Sequence, residues 1–224
     1  MSSTTRILST KVLSQIQKNR IVEFGCNYVE RNFIETGAIS FNYTENKHTL
    51  LFSSQNAVKS VFKNQNYKII LRDKKCYCVG EKTKKLLSIN GQKVTHFEEN
   101  ASKLANFIVK KAQNERFLFF CGKERRADLE DQLDTHKIHI EPLEVYQTFL
   151  KPKAVGKFDY VLFYSPSGVR SFLQNNSFKQ TTSICIGTTT AEALKNNSKR
   201  IIIASYPTVE HMIFELKKQL QHHD

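Results

Sequence analysis

The sequence predicts an α/β protein of two similar domains, each a parallel β-sheet flanked by helices, the two joined by a two-stranded β linker. An internal duplication is the first observation behind this. The stretch 50-LLFSSQNAVKSVF-62 lies over 161-VLFYSPSGVRSFL-173, matching Leu51 with Leu162, Phe52 with Phe163, Ser54 with Ser165, Val58 with Val169 and Ser60 with Ser171. A second pair, 76-CYCVGEKTKKLL-87 and 183-SICIGTTTAEAL-194, matches Gly80 with Gly187, Thr83 with Thr190 and Leu87 with Leu194. A period of roughly 110 residues is too long for a solenoid unit and fits a duplicated domain. The second observation is the alternation of short apolar runs with amphipathic stretches of helix length, the pattern of parallel sheets covered on both faces.

The elements follow in order. Residues 5–8 read as a strand. Ser9-Thr10 then precede a helix expected to bury Val12, Leu13, Ile16 and Ile21-Val22. The β-rich segment 27–36 and the extended 38–43 come next. The first repeat gives a strand at 49–53, a helix at 56–63, a strand at 76–79 and a helix at 81–89 closed by Gly91. Strand 93–97, helix 100–113, strand 116–120 and helix 125–133 continue the alternation, and 137–150 is extended. The second repeat supplies strand 159–164, helix 167–175, strand 183–186, helix 189–196, strand 200–204 and helix 208–221. Val161-Leu162-Phe163 and Ile201-Ile202-Ile203 suit strands buried on both sides.

Counting elements nests the domains. The leading strand–helix–strand needs a sheet to join, and the second repeat is thin alone. Residues 1–36 with 151–224 therefore form one domain and 44–140 the other, with 37–43 and 141–150 as the connecting strands.

Composition narrows the function classes. Against 34 Lys+Arg stand 21 Asp+Glu, a formal charge of +13 that favours a polyanionic partner or substrate. The positive charge is scattered, and no recognition helix, basic arm or aromatic stacking platform accompanies it, which argues against nucleic acid. The five cysteines are an odd number; Cys76 and Cys78, two apart on a strand, point to one face and read as core. No His or further Cys stands at zinc-type spacing, so no metal site is expected. The start MSSTTRILSTKVLSQ has no apolar stretch of signal-peptide length, and no run approaches a membrane span. A cytoplasmic protein is expected.

In open parallel sheets ligands gather at the carboxyl ends of strands, where helix N-termini aim N–H groups outward. Ser54-Gln55-Asn56, Ser165-Pro166-Ser167-Gly168, Glu81-Lys82-Thr83 and Thr188-Thr189-Thr190 all sit there. Ser, Asn and Thr are also what helix caps use anyway. Four such ends in two domains nevertheless suit a large anion. The phosphate signatures GxxxxGK[ST] and GxGxxG are missing, as is the GxSxG elbow. The seven histidines are scattered: His136 and His139 flank an apolar stretch, and His222-His223 close the chain. Tyr146 lies on the second connecting strand, where its hydroxyl can reach a cleft.

Taken together, F-[ST]-S-x-N-A-V (Phe52 to Val58), V-G-x-x-T (Val79 to Thr83), V-Y-x-T (Val145 to Thr148), S-P-S-G-V (Ser165 to Val169), I-G-x-T-T-A (Ile186 to Ala191) and Y-P-T (Tyr206 to Thr208) resemble the uroporphyrinogen-III synthase family, in order and spacing across nearly the whole chain. The resemblance implies two α/β domains, one built from both chain ends, with the active site in the cleft between them. It implies a cofactor-free, monomeric lyase that dehydrates and cyclises hydroxymethylbilane with inversion of ring D. Hydroxyl departure gives an azafulvene, attack from the substituted carbon of ring D gives a spiro intermediate, and fragmentation and reclosure give uroporphyrinogen III. By motif, Tyr146 is the tyrosine assisting hydroxyl departure. Thr83, Ser165, Ser167, Gly168, Thr189 and Thr190 fall on positions holding substrate carboxylates.

The charge agrees, because a linear tetrapyrrole with eight carboxylates calls for a basic site rich in donors. Two features depart from the family pattern. Ser9-Thr10-Lys11 replaces a Thr-Arg-Pro, so a cation remains without arginine's fork, and Glu81-Lys82 replace small residues. The alternative reading is a non-enzymatic, two-domain module for nucleic acid or another polyanion. A third is a catalytically silent member of the family used for regulation.

Overall fold

The computed structural model describes residues 4–43, 48–178 and 180–221. By its internal packing the chain divides into two compact units, Met1–Glu35 with Phe149–Asp224, and Thr36–Thr148.

The first unit holds β1 (Arg6–Ser9), α1 (Gln15–Val22), β2 (Asn27–Glu30), β9 (Tyr160–Phe163), α7 (Pro166–Leu173), β10 (Thr182–Cys185), α8 (Thr188–Glu192), β11 (Ile201–Ile203) and α9 (Val209–Gln221). The sheet runs β11-β10-β9-β1-β2, and every neighbouring pair is parallel. Period-two alternation sorts the strand residues onto two covered faces. Ile7, Leu162 and Ile184 pack with Leu13, Ile21, Met212, Ile213 and Leu216, beneath α1 and α9. Leu8, Val161, Phe163 and Cys185 pack with Val169, Phe172, Ala191 and Leu194, beneath α7 and α8.

The second unit contains β4 (Thr49–Phe52), α2 (Gln55–Phe62), α3 (Gln65–Ile70), β5 (Cys76–Val79), α4 (Glu81–Ile89), β6 (His96–Glu98), α5 (Ala101–Lys111), β7 (Phe117–Gly122) and α6 (Asp128–Thr135). The unit boundaries fall within β3 (Ile34–Ala38) and β8 (Ile140–Leu150). The sheet order is β3-β8-β7-β4-β5-β6. Leu50, Phe52, Cys76, Cys78, Leu118 and Phe120 face Val58, Val61 and Leu87 on α2 and α4. Leu51, Tyr77, Phe117, Phe119 and Cys121 face Leu104, Ile108, Leu129 and Leu133 on α5 and α6. Cys76 and Cys78 thus share one buried face, as their spacing predicts.

Four local expectations are corrected. First, the helix after β1 starts at Gln15, not after Ser9-Thr10. Ser14 accepts from the Gln17 N–H while the Gln17 side chain returns to the Ser14 N–H, a capping box. Ser9 and Thr10 instead bond the Lys11 and Leu162 carbonyls. The helix therefore presents a different face: Leu13 and Ile21 are buried, but Val12, Ile16 and Val22 are exposed. Second, of the stretch expected as strand at 38–43 only Ala38 is strand, with the Ile39 N–H still bonding the Val145 carbonyl; beyond it Phe41 stacks on Tyr67, with ring centroids 5.0 Å apart. Third, the helix expected from residue 125 begins at Asp128, because Arg125 is drawn into a two-point pair with Glu130 at 2.8 and 2.9 Å. Fourth, β8 does more than connect, since its first half is the parallel neighbour of β7.

Candidate active site

The duplicated unit explains how hydroxyls come to stand at the sheet ends. In each copy an apolar strand, fully buried from Thr49 to Phe52 and from Tyr160 to Phe163, stops at a residue that caps the following helix. Ser54 accepts from the Asn56 N–H at 3.1 Å, and Ser165 from the Gly168 N–H at 3.1 Å. A capping oxygen satisfies one N–H of the first turn and leaves others pointing outward. The buried sides coincide, with Ala57, Val58 and Val61 on α2 matching Gly168, Val169 and Phe172 on α7.

In the Thr36–Thr148 unit Tyr146 comes to this helix start. Its Oη donates to Ser54 Oγ at 3.2 Å, so Ser54 accepts from both Tyr146 and Asn56 while its own proton remains available. A bulge produces the contact. Cys121 faces Glu144 across the β7–β8 ladder, but the next residue, Gly122, faces Tyr146, so Val145 is the extra residue. In an unbroken strand consecutive side chains point to opposite faces. Here Val145 and Tyr146 both reach the cluster beneath α2. Gly122 is required by this approach, since a Cβ there would sit 2.5 Å from Tyr146 Cζ and 2.9 Å from its Oη. Nothing in the spacing of the sequence marks this register shift, so Gly122 escaped the sequence reading.

The other predicted residues divide. Gln55 is exposed and Asn56 half-buried in the first turn of α2. In the first unit Ser165, Ser167 and Gly168 lie together: the two hydroxyls are 3.0 Å apart, and Thr10 borders Gly168. Thr189 is exposed, at the start of the five-residue α8. Thr83 and Thr190 are not presented. They are 5% and 1% exposed, and their N–H groups bond the Gly80 and Gly187 carbonyls. Their match across the repeat is one of packing, alongside buried Leu87 and Leu194. Gly80 takes a positive φ of 85°, a turn that favours glycine, before α4.

A polar group behind β1 also went unforeseen. Ser9 Oγ and Tyr164 Oη are 3.0 Å apart, and Glu30 accepts from the Leu13 N–H, the Tyr28 hydroxyl and Lys18. Burial pushes both tyrosine hydroxyls well above the usual tyrosine range, which keeps them neutral donors. These bonds hold the turn that carries Lys11, whose Nζ lies 6.0 Å from the Tyr164 ring centre. The thiols offer no nucleophile, since burial pushes Cys78, Cys121 and Cys185 up to about 12. Among the described residues the one grouping with metal-ligand character is His48, His139 and Glu141, at the opposite, amino ends of β4 and β8. No described helix is long and apolar enough to cross a membrane.

Comparisons with known proteins agree on one family. The family model described as uroporphyrinogen-III synthase HemD matches residues 17–213. The porphyrin biosynthesis protein HemD of Ruminiclostridium josui is 26% identical over 186 residues, which is 75% of this chain and 37% of that protein. The chain thus spans little more than a third of the length of that curated relative. Among solved structures, the uroporphyrinogen-III synthetase of Helicobacter pylori superposes with a TM-score of 0.75 at 22% identity, over 97% of this chain and 100% of that one. A mutant uroporphyrinogen III synthase of Thermus thermophilus superposes with a TM-score of 0.63 at 12% identity, over 98% and 100%. At these identities the superpositions speak for the two-domain α/β fold.

Proposed function

Because the chain belongs to the uroporphyrinogen-III synthase family, we propose that it converts hydroxymethylbilane to uroporphyrinogen III, as a hydro-lyase acting without a cofactor. The observation that carries the reading is the Tyr146 hydroxyl held at Ser54 on the first turn of α2. At 3.2 Å the bond is long for two hydroxyls, so it is readily exchanged for a better acceptor. The hydroxyl of the substrate's hydroxymethyl group is such an acceptor. As its C–O bond breaks, Tyr146 donates the proton with which it leaves as water, and the pyrrole nitrogen's electron pair forms the azafulvenium cation, which the tyrosine phenolate balances. Ser54 can then turn its own proton toward the phenolate oxygen, beside the positive end of α2. Attack by the substituted carbon of ring D, fragmentation and reclosure follow, and for these the protein mainly has to hold a conformation.

Substrate carboxylates are assigned to the first turns of α2 and α7, with Ser54, Gln55, Asn56, Ser165, Ser167 and Gly168, and to Thr189 and Lys11. Thr83 and Thr190 are assigned to packing beneath them, because both are buried. The excess of positive charge serves this polyanion, and the protein acts as a cytoplasmic monomer without nucleic acid. Incubating the protein with hydroxymethylbilane and separating the product isomers tests the reading. Type III product supports it, and type I alone, at the uncatalysed rate, refutes it.

A further inference from the structure

We propose that His48, His139 and Glu141 form a binding site for a divalent transition metal at the amino end of the Thr36–Thr148 sheet. His48 immediately precedes β4, His139 immediately precedes β8, and Glu141 is the second residue of β8. Both strands pair with β7, in a register that joins Thr49 to Phe117 and Phe117 to Ile140. One position earlier, His48, Arg116 and His139 form a row across the three strands. Glu141, two residues beyond His139, projects to the same face as that row. One ligand atom from each of His48, His139 and Glu141 lies within 4.8 Å of the others.

A second observation points to a ligand. His48 is 7% exposed, yet its Nδ1 is buried without a hydrogen-bond partner among the described residues, Glu141 Oε2 lying 3.7 Å away. A buried polar atom left in that state is costly, and a metal ion drawn between the two would satisfy both. Two imidazoles and one carboxylate are the donor set of zinc-type ions, whereas magnesium and calcium favour all-oxygen shells. With three protein ligands the fourth position would be left to water. The site lies at the sheet end away from Tyr146 and Ser54, so its role is to pin β4 to β8 and not to take part in ring closure. Two cations oppose it: Arg116, a guanidinium nitrogen of which lies 3.3 Å from His139 Nε2 and would have to be displaced, and Lys74, whose charge also acts on His48.

The test uses untagged full-length protein, stripped with a chelator and titrated with Co²⁺ as a spectroscopic probe and with Zn²⁺ by calorimetry. The proposal expects one equivalent to bind, with a visible d–d band, no thiolate charge-transfer band, and a rise in melting temperature. His139→Ala and Glu141→Gln alter exposed side chains and should each weaken binding by at least about tenfold. His48→Ala should abolish it, and Arg116→Gln should tighten it several-fold by removing the competing charge. Absence of binding to the wild type overturns the proposal. So does wild-type affinity in the His139→Ala and Glu141→Gln proteins, which would place the ion elsewhere, for example on His222-His223.

Discussion

Substituting Gly122 by alanine should disable catalysis without replacing any group that contacts substrate. The added Cβ would stand 2.5 Å from Tyr146 Cζ, 2.7 Å from Cε2 and 2.9 Å from Oη. Ordinary contact begins near 3.4 Å, so the ring has to retreat by about 1 Å. The Tyr146–Ser54 bond, already 3.2 Å long, does not survive such a shift. Crowding in a packed cluster costs roughly 1–3 kcal/mol, which the fold should tolerate. Displacing a proton donor by about 1 Å costs on the order of a hundredfold in rate. Tyr146→Phe, which keeps the ring and removes the proton, should cost about 10²–10⁴-fold. The assay is turnover of hydroxymethylbilane to the type III isomer by the two single variants and the double variant. Because both changes act through one hydroxyl, Gly122→Ala should cost little further in the Tyr146→Phe background. Full turnover by Gly122→Ala, or additive losses in the double variant, would refute the reasoning.

Ser54→Ala removes a helix cap and the acceptor of Tyr146 together, so melting should report a loss of about 1 kcal/mol while turnover falls; unchanged turnover would detach Ser54 from the chemistry. Thr190→Val should leave KM unchanged, whereas Ser167→Ala should raise it, which steady-state kinetics would separate. Glu30 tests the turn that carries Lys11. Burial pushes its carboxyl up, but bonds from the Leu13 N–H, Tyr28 and Lys18 outweigh this and hold it below its ordinary value of 4.5. A depressed folded-state value means stability that is present above the unfolded value and lost as pH falls through the folded one. Glu30→Gln should therefore cost roughly 1–3 kcal/mol near neutrality, with the gap to wild type closing in acid below 4.5. A gap of constant size in denaturant titrations across that range would contradict the assignment.

The fold class was legible because a buried parallel strand needs a continuous apolar run. Thr49–Phe52 and Tyr160–Phe163 are such runs, each followed by a serine cap, and the repeat between them made the signal double. Short elements were less legible. Helix α3 buries none of its residues, and Ile69 is 73% exposed, so no apolar period could announce it. The helix after β1 starts later than expected because Ser9 and Thr10 look like caps, while their hydroxyls donate instead to the carbonyls of Lys11 and of Leu162, a residue far along the chain. In the candidate site, the two serines were readable from their positions at strand ends, and Tyr146 from the V-Y-x-T motif on the second connecting strand. Gly122 was not, because a bulge is a register between two strands, and a register is absent from either strand alone. Burial of Thr83 and Thr190 likewise depends on the helices settling onto their sheets. His48 and His139 share a row only through β7, which no spacing rule for metal ligands anticipates.

The partition between product isomers tests the central claim most directly. Hydroxymethylbilane closes on itself to the type I ring, so a series of protein concentrations should raise the type III fraction until it dominates as the catalysed path outruns spontaneous closure. Tyr146→Phe, folded as judged by its melting curve, should shift that series to much higher protein concentration. A product that stays type I at every concentration of the wild-type protein would contradict the account.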